Sequence, residues 1–77
     1  MKVKVIVTLK SGVLDPQGKA IQQTLNGMSF GNVEEVRQGK YFEIEVKEKD
    51  EKKSKLLVDD MCKKLLANLV IEDYKIV

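Results

Sequence analysis

The first ten residues constrain the fold more than any other stretch. Val3, Val5, Val7 and Leu9 alternate with Lys2, Lys4, Thr8 and Lys10. A period of two marks a β-strand with one face buried and one face wet. Such a strand calls for sheet neighbours and a layer packed over its valines. Ile6 breaks the wet face. It reads either as a tolerated surface isoleucine or as a self-association contact made by that face.

Ser11 and Gly12 end this strand, and Asp15-Pro16 opens a helix. The aspartate can accept from free first-turn amides, and proline at the first helical position gives up a donor that had no partner. Ile21, Leu25 and Met28 then recur at helical spacing, with Lys19, Gln22, Gln23 and Asn26 turned away and Gly27 and Gly31 at the exit. Gly18 sits in the first turn, where it costs about 1 kcal/mol relative to alanine. Close packing of the helix start, or close approach by another backbone, would account for it.

The segment from Asn32 to Lys47 has strand character. Val36, Phe42, Ile44 and Val46 share one parity, and Glu43, Glu45 and Lys47 take the other. Gln38-Gly39 divides it, either as a two-residue hairpin turn or as a glycine bulge in one long strand. The reading favoured here is two strands. Asp50 starts a second helix with a stripe of Ser54, Leu57, Val58, Met61, Cys62 and Leu65. Asn68 is read as a left-handed stop, and Val70 to Val77 as a last strand with Tyr74 and Ile76 on one face. The order β-α-β(β)-α-β predicts an α+β fold: an antiparallel sheet with two helices on one face, ferredoxin-like or a related sandwich. No repeat or linker divides residues 1–77, so a single domain is expected.

Size and composition limit how such a fold is stabilised. With 77 residues and 8.7 kDa, area scaling gives about 4,700 Å² of folded surface and roughly 62% burial on folding, a marginal core. One cysteine rules out an internal disulfide, and the absence of histidine removes the common zinc-ligand sets. A partner or copies of the chain itself would supply the missing stability. No apolar run has the length of a transmembrane helix, and the Lys/Val start is not a signal core, so a cytoplasmic location is expected. Fourteen basic against twelve acidic residues give no case for nucleic acid.

The chemistry open to these residues is narrow. Without histidine the commonest general base is missing. Cys62, on the apolar stripe, reads as a small buried hydrophobe. The adjacent acids Glu34-Glu35, Asp59-Asp60 and Glu72-Asp73 point apart on strand or helix and cannot act as a catalytic pair. The glycines of Lys10-Ser11-Gly12 and Gly27-Met28-Ser29-Phe30-Gly31 lack a phosphate-loop pattern. The residues therefore suggest a binding or assembly subunit with no catalytic or metal-ligating residue of its own.

Three stretches are specific enough to name a resemblance. Leu14-Asp15-Pro16-Gln17-Gly18-Lys19-Ala20, Val36-Arg37-Gln38-Gly39-Lys40-Tyr41, and Met61-Cys62-Lys63-Lys64-Leu65-Leu66-Ala67-Asn68 with Val70-Ile71-Glu72-Asp73-Tyr74 together resemble the PurS family. PurS is the small subunit of phosphoribosylformylglycinamidine synthase. Leu69 departs from the pattern, since family members often have proline there. The resemblance implies a non-catalytic subunit of de novo purine synthesis. It would join a glutaminase to a large synthetase, support ammonia transfer between them, and form a homodimer or a dimer of dimers. It would bind no cofactor itself, ATP and magnesium being used by the synthetase. The motif match nominates Asp15, Gln17, Gly18, Lys19, Arg37, Gly39 and Lys40 as partner contacts. A free-standing regulatory module that binds a small metabolite is the alternative, and an unrecognised small enzyme is a third class.

Overall fold

The computed structural model describes residues 1–77. Strand β1 (Lys2–Leu9) is central in a three-stranded antiparallel sheet of order β2-β1-β3, with β2 at Gly39–Glu45 and β3 at Glu72–Ile76. Val3 faces Ile44, and Val5 sits between Phe42 and Ile76. Alternation thus puts Val3, Val5 and Val7 on a buried inner face and Lys4, Ile6 and Thr8 on an exposed outer one.

Helix α2 (Glu51–Met61) lies over the inner face. Asp50 caps it by accepting from the backbone N–H groups of Lys52 and Lys53. Ser54, Val58 and Cys62, one helical turn apart, are fully buried and close the core with the β1 valines and Ala67. The helix runs into a single π-helical turn, Cys62–Leu66, in which Ala67 N–H donates to the Cys62 carbonyl at 3.0 Å.

The α+β class, the antiparallel sheet and the two helices are as expected, but helix α1 (Pro16–Gly27) packs little against the sheet. It buries only Gly18, and it stands away from the sheet that α2 covers. Ile21 and Met28, read as core from their spacing, are exposed. The chain is accordingly elongated, 48 × 24 × 14 Å. Its radius of gyration is 15.9 Å, against about 11.5 Å for a compact chain of this length.

Three local expectations are also corrected. Residues 33–38 form no strand, so Gln38-Gly39 is neither a hairpin turn nor a mid-strand bulge; the ladder starts at Gly39, opposite Thr8. Asn68 is not left-handed, because Ser29, at φ 81°, is the one non-glycine residue with positive φ. Asn68 instead makes a side-chain turn, its Oδ1 accepting from Val70 N–H at 3.2 Å and its own N–H donating to Glu72 Oε1 at 2.7 Å. The last strand begins at Glu72, leaving Val70 and Ile71 exposed in the turn.

Candidate functional site: a junction centred on Asp15

Asp15 lies where the end of β1, the start of α1 and the start of β2 meet. As the N-cap of α1 it has extended dihedrals, and its Oδ1 accepts from Gly18 N–H at 2.9 Å. Its Oδ2 accepts from Gln38 N–H at 2.7 Å, one residue before β2. The carboxylate is buried, 6% exposed. The Gln38 and Gly18 amides, with Arg37 nearby, hold its pKa below the ordinary carboxylate value.

Two glycines nominated from the motif serve the same junction. A Cβ on Gly18 would stand 2.1 Å from the Val36 carbonyl oxygen, so only glycine lets the backbone of residues 33–38 cross the helix start. A Cβ on Gly39 would stand 2.6 Å from the Val7 carbonyl oxygen. Both close approaches are internal to the fold. Asp15, Gly18 and Gly39 therefore have structural duties that their place in the motif did not separate from partner contact.

The four other nominated residues are exposed around this centre. Arg37 donates to the Lys10 carbonyl at 3.0 Å, and its Nε is 4.0 Å from Glu35. With Lys19, Glu34 and Glu35 it borders a cleft of about 200 Å³ on one side of Asp15. Gln17 and Lys40 border a second cleft of about 200 Å³ on the other side, where Lys40 Nζ is 3.6 Å from Glu72 Oε2. Positions spread from 15 to 40 in sequence thus converge on one carboxylate. Both clefts are smaller than the ~300–1,000 Å³ of ordinary ligand pockets and carry charges of both signs. Their make-up suits a polar protein contact better than a metabolite.

Elsewhere the reactive groups are closed off. Burial and the nearby Asp59 carboxylate push the Cys62 thiol pKa up, which suppresses the nucleophilic thiolate. Tyr74 O–H donates to Asp59 Oδ1 at 2.5 Å, tying β3 to α2, and its pKa is pushed up to about 12. No cluster of three acidic or cysteine side chains has the arrangement of a metal site. No helix is long and apolar enough to cross a membrane.

Exposed apolar side chains also lie on the outer sheet face and on α2. On the outer sheet face Ile6 is 39% exposed and opposes Tyr41 across the ladder, so the odd isoleucine has an aromatic neighbour. On α2, Leu57 and Met61 are exposed although their spacing placed them on the core stripe. The breadth of that stripe, wider than one sheet contact needs, was the signal available in the sequence.

Comparison with known proteins agrees with this geometry. The family model described as "PurS: Phosphoribosylformylglycinamidine (FGAM) synthase" matches residues 2–77. The Bacillus subtilis protein named phosphoribosylformylglycinamidine synthase subunit PurS is 54% identical over 74 residues, covering 96% of this chain and 87% of that protein. The crystal structure of Methanocaldococcus jannaschii PurS superposes with a TM-score of 0.88 at 51% identity, covering 99% of this chain and 92% of that one. A chain in the structure of PurLQS from Thermotoga maritima superposes with a TM-score of 0.87 at 30% identity, covering 100% and 96%. Matched over its whole length in sequence and in fold, the chain belongs to the PurS family of phosphoribosylformylglycinamidine synthase subunits.

Proposed function

We propose that the chain is the small, non-catalytic subunit of a formylglycinamide ribonucleotide amidotransferase, a glutamine-dependent, ATP-using ligase of purine biosynthesis in the cytoplasm. In this reading it self-associates and joins a glutaminase to a large synthetase, which binds ATP and magnesium. Ammonia is lost if it escapes or is protonated, so sealing one active site against another raises flux without chemistry in the seal. The observation that carries the reading is whole-length similarity to a chain of the Thermotoga maritima PurLQS structure. The closed-off thiol and the small mixed-charge clefts support a role in contact.

Contact with the enzymes falls to the exposed ring around Asp15: Gln17, Lys19, Arg37 and Lys40. Arg37 is the strongest choice. Its guanidinium has five donors and its internal partners use only part of them. Reconstituting the three-component enzyme provides the test. Leaving the chain out should abolish glutamine-dependent amidine synthesis, and an intact rate without it would overturn the reading. Arg37→Ala should weaken complex formation by about tenfold, with the free chain's unfolding midpoint as control. Unchanged assembly would remove Arg37 from the contact surface.

A further inference from the structure

The free end of α1 is closed by a strained stop. After Gly27, Met28 N–H donates to the Thr24 and Leu25 carbonyls, and Phe30 N–H reaches back to Leu25 at 3.0 Å. This is a left-handed stop, and the residue that takes the left-handed conformation is Ser29, at φ 81°. Glycine enters that region without penalty. Gly27 and Gly31 flank the position and neither occupies it, since no glycine of the chain has positive φ. The second bond usual in such a stop, from Ser29 N–H to the Asn26 carbonyl, is missing.

Asn26 is short of partners in its side chain too. Its Oδ1 is buried and accepts no hydrogen bond, which favours an open form in which water reaches the amide. The sheet and α2 lend this end no support, because α1 buries only Gly18, near its other end. A helix end with these features opens at small cost.

The open form brings a reactive pair together. Asn26 is followed by Gly27, whose nitrogen no β-carbon shields, and a β-carbon built there would meet nothing within 4 Å. Asn32 and Asn68 are followed instead by Val33 and Leu69, whose side chains crowd the same nitrogen. Released from the helix, the Gly27 nitrogen attacks the Asn26 carboxamide carbon. A nitrogen–carbon bond closes a five-membered succinimide, the carboxamide C–N bond breaks, and ammonia leaves with the proton that the Gly27 nitrogen gives up. Water then adds to one of the two ring carbonyls and opens the ring to aspartate or isoaspartate.

We propose that Asn26 is a deamidation site gated by opening of the strained stop at Ser29, and that conversion unwinds the free end of α1. The new carboxylate sits at the negative end of the helix dipole, and isoaspartate adds a backbone atom that breaks the i→i−4 spacing. The change lies at the opposite end of α1 from Asp15, so it erodes the helix from its tip and leaves the junction in place.

The test is to incubate the purified full chain at neutral and mildly alkaline pH and to follow the mass gain of amide-to-acid conversion in its tryptic peptides. Peptide 20–37 carries Asn26 and Asn32, and peptide 65–75 carries Asn68. Conversion is expected first at Asn26, and faster at the higher pH because the attacking nitrogen must lose its proton. Ser29→Gly relieves the stop without touching the reacting pair and should slow conversion about fivefold. Gly27→Ala should slow it further, since it adds the missing β-carbon and a better helix former. The converted chain, separated by charge, should show less helical signal than the unconverted one. Conversion at Asn26 no faster than at Asn32 and Asn68, or a rate that Ser29→Gly leaves unchanged, would overturn the gated site. Equal helical signal in the two forms would overturn the unwinding.

Discussion

The two helices are of similar length and are stabilised in opposite ways. Helix α2 has six charged residues in eleven, an acidic first turn and an aspartate cap that accepts twice. Ion pairs spaced i,i+4 line it and tie it to the π-turn that follows, Lys55–Glu51 at 3.2 Å, Lys63–Asp59 at 3.1 Å and Lys64–Asp60 at 2.9 Å. Helix α1 has one charged residue in twelve, no ion pair within it and glycine at two positions. A free helix of that length and composition is marginal in water. The difference teaches where the order of each helix comes from: α2 carries its own, whereas α1 depends on the junction at its base.

The sharpest way to break this comparison is Gly18→Ala. The new methyl would meet the Val36 carbonyl at an impossible distance, so the junction must open. We expect a loss of about 3 kcal/mol or more in denaturant unfolding. A loss below about 1 kcal/mol would show that the crossing at Gly18 does not hold α1 in place. A middle-sized effect separates the helices by concentration. Val58→Ala removes two methyl groups from a fully buried site and should cost about 2.5 kcal/mol at any protein concentration. Leu25→Ala, at a half-buried position of α1, should cost little in dilute chain and more at high concentration if the self-association proposed above covers this helix. Equal concentration dependence for the two would erase the distinction.

The smallest expected effect concerns pH. Asp15 anchors α1 and Asp59 links α2 to β3, and both carboxylates have pKa values lowered in the fold, by amide donors for Asp15 and by Tyr74 and Lys63 for Asp59. A lowered folded value means that each contribution is complete above the unfolded value of 3.8 and is lost as pH falls through the folded one. Asp15→Asn should therefore flatten the acid limb of the stability profile, as should Asp59→Asn. In the Asp15 variant the flattening should coincide with loss of helical signal from α1. An acid limb identical to wild type in both variants would exclude these two groups as its source.

Much of the sheet was legible in advance because period-two alternation is a local signal: Val3, Val5 and Val7, and then Phe42 and Ile44, lie inward as read. Val36 has the same parity as Phe42 yet lies outside the strand. Its stretch gives its hydrogen bonding to a side chain twenty-three positions away instead of to a ladder. The apolar stripes of both helices were legible as stripes. What periodicity cannot specify is whether an apolar row meets the chain's own sheet, as Val58 does, or stays exposed, as Met61 and Met28 do. For the site, the motif picked out positions that the fold gathers around Asp15. It did not distinguish Gly18 and Gly39, which are needed for internal backbone contacts, from Gln17, Lys19, Arg37 and Lys40, which face outward.

One carboxylate joins both ends of residues 15–38, beside the Arg37 bond to the Lys10 carbonyl and the Gln22 bond to the Val33 carbonyl. Mechanically, α1 is a cantilever. It is about 18 Å long, so a tilt of about 10° at its root would carry its far end about 3 Å. At its root a single side chain accepts two hydrogen bonds, 2.9 Å from Gly18 and 2.7 Å from Gln38, next to the Gly18–Val36 crossing. A pull on the Gln38 peptide therefore reaches the free end through leverage, without any repacking of the core.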